Sequence, residues 1–71
     1  MQVKEILAQN VKQIKRERGL TQFDISELSG LSVREIGKIE RNQVSITLAS
    51  LQKLADGLGV TVTYLISEHS M

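Results

Sequence analysis

The four residues Ser29-Gly30-Leu31-Ser32 interrupt a helical pattern and let it restart at once, and a chain of 71 residues has few ways to use such a corner. Before it, Thr21 and Asp24 stand at capping-box spacing, so a two-turn helix begins there, with Ile25 and Leu28 as its expected buried face. After it, Ser32 and Glu35 repeat the cap, and Val33, Ile36 and Ile39 form an apolar stripe that runs to about Arg41 and Asn42. Gly30 separates the two because a left-handed backbone costs glycine nothing.

Further elements are legible on either side. Val3, Ile6, Leu7, Val11 and Ile14 fall at spacings of three and four, which predicts a helix from about Gln2 to Arg18, ended by Gly19. Residues 43–46 read as a loop. Thr47 then caps a helix whose stripe is Leu48, Leu51, Leu54, Ala55 and Leu58, with Gly57 and Gly59 expected to stop it. The segment VTVTYLI alternates as a strand would, but a lone strand leaves its backbone unpaired, so a short helix from a Thr61 cap through Leu65 is predicted. The expected fold is all-α: a compact five-helix bundle, one domain over residues 1–71, with a helix-turn-helix at about 21–41.

Composition narrows the chemistry. Hydrophobic residues make up 41% of the chain, enough for one small core and well above disordered composition. Cysteine is absent, which excludes disulfides and thiolate metal sites, and the single His69 lies near the end, so no metal or other cofactor is expected. The opening MQVKEILAQN is charged and amphipathic, and no apolar run approaches membrane-spanning length; a soluble cytoplasmic protein without membrane attachment is the expectation. No nucleophile and base at plausible spacing, phosphate loop or carboxylate pair suggests an enzyme. Net charge is only +1, yet eight of the nine Lys and Arg residues lie within residues 1–41.

Two short helices joined by a glycine-containing turn form the helix-turn-helix pattern, whose first helix braces on the phosphate backbone while the second enters the major groove of double-stranded DNA. Ser26, Gly30, Leu31, Ile36 and Ile39 supply the small and apolar residues that such a crossing needs. The run RGLTQFDISELSGLSVREIGKIERN, followed by TLASLQKLADGLGVTVTYLI, resembles the XRE family of phage repressors, Cro proteins and bacterial regulators over roughly Leu7 to Ile66. Thr21-Gln22, the Gly30 corner, Ile39-Glu40-Arg41 and Leu58-Gly59-Val60 carry the likeness. Ser26 stands where Ala is usual, Asn42 where Gly is, and Ile46 where Pro is common.

The resemblance implies roles for particular residues. Gln22 matches a glutamine that hydrogen-bonds a phosphate, and Arg41, Asn42, Gln43 and Ser45 fall where relatives touch the backbone. Val33, Arg34 and Lys38 match positions that reach base edges, with Glu35 beside them. Arg34 leads, since its planar fork fits guanine O6 and N7. Val33 either meets a thymine methyl or flanks the core, and Glu35 either accepts from cytosine or completes its helix cap. Lys15 and Glu40 match a structural ion pair in which the family usually has Arg. For Gly37, close approach to DNA or to the second helix would justify its cost inside a helix. Phe23 is either a packing residue against the first helix or an exposed contact.

One module reads one half-site, so a two-fold homodimer is expected, with Val60, Val62, Tyr64 and Ile66 as its contact residues. Three settings fit. The IERN run with an aliphatic fourth helix is similar to controller proteins of restriction-modification systems; a Cro-like phage repressor and an antitoxin bound to its toxin are the others. A reading of another class, motivated by the low net charge, is a protein-interaction bundle without DNA binding.

Overall fold

The computed structural model describes residues 2–43 and 46–69. Five helices follow in order: α1 (Val3–Arg18), α2 (Gln22–Ser29), α3 (Val33–Glu40), α4 (Leu48–Leu58) and α5 (Val62–Leu65). Among the described residues there is no strand, and no helix is long and apolar enough to cross a membrane. Thr21, Ser32, Thr47 and Thr61 each accept the backbone N–H of the residue three positions on, satisfying donors that a helix start leaves free. At Thr21 with Asp24 and at Ser32 with Glu35 the carboxylate reaches back to the cap's own N–H, completing both capping boxes. Gly30 closes α2 in the left-handed region, at φ 80°.

α2 packs on α3 and α4, α1 on α3 and α5, and α4 on α5. The core lies where these meet, around the fully buried Val11, Ile25, Ile36, Leu54 and Leu65. Four stripe residues depart from the expected pattern. Val3 and Leu48 are exposed, at 57% and 76%, because each opens its helix beyond the reach of the neighbouring elements. Val33 is 41% exposed at the start of α3 for the same reason. Leu28, at 54% exposed, points away from the core, and Ser29 is buried in its place.

The position of α4 explains that exchange. Gly57 lies inside α4 rather than stopping it, and Gly59 is the cap. A Cβ on Gly57 would lie 2.6 Å from the Leu28 carbonyl oxygen and 2.7 Å from Ser29 Cα. The two backbones therefore touch, which a side chain at position 57 would prevent. Ser29 Oγ donates to the Ile25 carbonyl at 2.7 Å and accepts from Leu31 N–H at 3.2 Å, while Ser26 Oγ donates to the Leu31 carbonyl. Both hydroxyls thus bind the helix-turn-helix corner internally.

Polar contacts from α1 tie the helices together. Lys15 Nζ of α1 donates to Glu40 Oε1 of α3 at 2.8 Å and lies 2.7 Å from Oε2, where the contact is ionic without hydrogen-bond geometry. The glutamate side chain is only 6% exposed, and the ammonium offsets part of the cost of burying it. Arg18 Nη1 donates to the Leu58 carbonyl at 2.6 Å, capping α4 from α1. Asn10 Nδ2 donates to the Leu65 and Ser67 carbonyls at 2.7 and 2.8 Å, with the Tyr64 carbonyl at 3.3 Å, and so fixes the end of α5 against α1.

Two outcomes are expected in chemical denaturation. Gly57→Ala should destabilise the chain by about 2 kcal/mol, since overpacking against an unyielding backbone outweighs the roughly 1 kcal/mol that Ala gains over Gly in a helix. Lys15→Met should cost about 2 kcal/mol by leaving a buried carboxylate uncompensated, and adding Glu40→Gln to that variant should recover part of the loss.

Candidate nucleic-acid interface

α3 has two unlike sides. Ile36, Ile39 and Glu40 are buried, whereas Val33, Arg34 and Glu35 are exposed and Lys38 is half-buried. Arg34, Lys38 and Arg41 follow one another at spacings of four and three, which sets them in a row on one side of the helix. Eight residues give α3 a length of about 12 Å, the width of a major groove. Among the described residues neither the Arg34 guanidinium nor the Lys38 ammonium has a hydrogen-bond or ion-pair partner. They are free to meet an anion or a base edge.

The other residues singled out from the sequence are in part occupied within the chain. Glu35 Oε1 accepts the Ser32 N–H at 3.1 Å, so its carboxylate completes the cap. Gln22 Nε2 donates to Glu40 Oε1 at 2.9 Å. That bond fixes the amide at the first turn of α2 and leaves its carbonyl oxygen and second N–H available. Lys15, Glu40 and Gln22 thereby form one chain of contacts across α1, α3 and α2.

Arg41 Nε donates to Gln43 Oε1 at 2.9 Å, and both residues are exposed where α3 ends. Asn42 takes the left-handed backbone at φ 58°, the conformation for which Gly is usual and Asn the next choice. Ser45 lies outside the described residues. Gly37 does not approach α2; the nearest atoms to a Cβ placed there belong to the Arg41 guanidinium. Phe23, next to Gln22, is 61% exposed and so is not a packing residue against α1.

At the C-terminal end, Val60, Val62 and Ile66 are half-buried against the core, and of the four residues expected at a dimer contact only Tyr64 is exposed. Its ring stacks on His69 with centroids 4.0 Å apart. Sequence reasoning missed Asn10, Arg18 and Ser29. Asn10 shares the α1 face of Leu7, Val11 and Ile14, and a polar residue in an apolar stripe was the available signal. Arg18 gave none, because its carbonyl partner lies 40 residues away; Ser29 bonds the carbonyl four residues back, and its burial is set by α4.

Comparison with known proteins agrees with this geometry. The family described as "Helix-turn-helix" (HTH_3) matches residues 11–65. The control protein C.SmaI of Serratia marcescens is 37% identical over 71 residues, all of this chain and 84% of that protein. The HTH-type transcriptional regulator SutR of Escherichia coli strain K12 is 39% identical over 61 residues, 86% of this chain but only 34% of SutR. The crystal structure of the wild-type restriction-modification controller protein C.Esp1396I superposes with a TM-score of 0.79 at 28% identity, covering 99% of both chains. The chain belongs to the HTH_3 helix-turn-helix family of transcriptional regulators.

Proposed function

We propose that this chain is a sequence-specific regulator that binds double-stranded DNA as a homodimer, with α3 in the major groove. The observation that carries the reading is the row of cationic side chains on α3, two of them without an internal partner, beside a Gln22 amide held at the first turn of α2. Arg34, Lys38 and Val33 read base edges. Gln22, Arg41, Asn42, Gln43 and Ser45 hold phosphates, and Glu35 remains with its cap.

The 71 residues act as one DNA-binding unit. The molecule measures 27 Å along its longest axis, less than the roughly 34 Å between successive major grooves on one side of a duplex. One copy reaches one half-site, and a two-fold dimer reaches both. Val60, Val62, Tyr64 and Ile66 contribute the dimer contact, in which Tyr64 supplies the exposed area and the others its apolar base. Regulation then follows from occupancy, with the bound dimer blocking or recruiting polymerase according to operator position. Control of a restriction-modification system is the favoured setting, because this chain spans 99% of a solved restriction-modification controller protein and 84% of a protein named as a control protein.

Selection of duplexes from a random pool, followed by titration of the winner at two salt concentrations, tests the reading. One enriched sequence family, bound with affinity that falls steeply as salt rises, is expected. No enrichment, or salt-independent binding, overturns it in favour of a protein-interaction bundle. Arg34→Ala should relax base preference at one position of each half-site, a loss of about 1–3 kcal/mol of discrimination. Gln22→Ala should weaken all duplexes about equally, which the same titrations would report.

A further inference from the structure

We infer that Gly37 is a positioning residue for DNA binding: by lacking a side chain it seats the Arg41 guanidinium against α3, in register with Arg34 and Lys38. The inference rests on the reading of α3 as the DNA-facing helix. Gly37 is the fifth residue of the eight-residue α3, a place where glycine is disfavoured by its backbone entropy. Gly57 shows what a packing glycine looks like here, since a Cβ on it would strike the backbone of α2. Gly37 is different. The three nearest atoms to its would-be Cβ all belong to one side chain: Arg41 Nη1 at 3.0 Å, with Cζ and Nη2 at 3.6 Å.

The guanidinium is held by a second contact as well. Nε donates to Gln43 Oε1 at 2.9 Å, which uses one of the five N–H donors of the group. Among the described residues the Nη1 and Nη2 donors have no acceptor. Gly37 itself is buried although Arg41 is exposed, as a guanidinium lying over the glycine backbone requires. An arginine fixed by a seat and one clamp loses less freedom on meeting a phosphate than a freely rotating one, and its fork geometry survives. The glycine thus exchanges helix stability for a preset cation at the end of the reading helix.

A Cβ at Gly37 would press on the flexible end of a side chain, so the fold yields easily while the guanidinium has to move. Stability and affinity are therefore expected to change in opposite directions. The test uses the full chain and the duplex selected by the wild-type protein, with Gly37→Ala, Arg41→Ala and the double variant. Gly37→Ala should melt about 3–6 °C higher, as Ala replaces Gly inside a helix where only the movable end of Arg41 has to give way. It should bind about five- to tenfold more weakly per half-site at 0.1 M salt, the effect of one lost phosphate contact in each protomer, and the salt slope of the dimer should fall by about 1.8.

Arg41→Ala should show the same binding loss, and the double variant no further loss. Gly37→Ala binding like wild type, losses that multiply in the double variant, or a lowered melting temperature for Gly37→Ala would each overturn the inference while leaving the DNA reading intact. A wild-type chain that enriches no duplex overturns the DNA reading, and this inference falls with it.

Discussion

The Glu40 carboxylate is the joint on which the orientation of α3 depends. It is the last residue of α3, it is buried, and its two oxygens meet Lys15 from α1 and Gln22 from α2. A buried carboxylate is tolerated only with such partners, so the three helices are constrained to one relative arrangement. The lysine supplies a point charge rather than a fork, and the Gln22 amide contributes the directional contact at the first turn of α2. A residue proposed to grip phosphate is thus set by the same atom that anchors the reading helix.

Small residues do the complementary work at the corner. Ser26 and Ser29 turn their hydroxyls onto the backbone of α2 and the turn, and Gly57 lets α4 touch α2 at Leu28 and Ser29. Close backbone approach braces the two-turn α2, whose only buried apolar side chain is Ile25. The corner is held by the hydroxyls of Ser26 and Ser29 and by the burial of Leu31, and Gly30 contributes the change of direction.

The cations divide into two groups with different duties. Lys15 and Arg18 hold α1 to α3 and α4, whereas Arg34, Lys38 and Arg41 stand along the outward side of α3. This division explains how a chain of net charge +1 supports a DNA-binding reading. What matters for a groove-reading helix is the local row of cations, not the total. Gly37 belongs with this row, since its missing side chain leaves room for the arginine at its end.

The sequence by itself determined the number, type and limits of the helices, because caps at Thr21, Ser32, Thr47 and Thr61 and stops at Gly19, Gly30, Asn42 and Gly59 are local chemistry. It also carried the motif, whose corner and helix 3 side chains are adjacent in the chain. Tertiary structure alone decided which apolar residues are buried: Leu28 and Leu48 obey the helical period yet face outward, because burial depends on where another helix passes. It alone decided the duties of Asn10, Arg18 and Gly57, whose partners lie 28 to 57 residues away in sequence. Periodicity specifies a face for each helix, but only the packing of one backbone on another says which end of that face is covered.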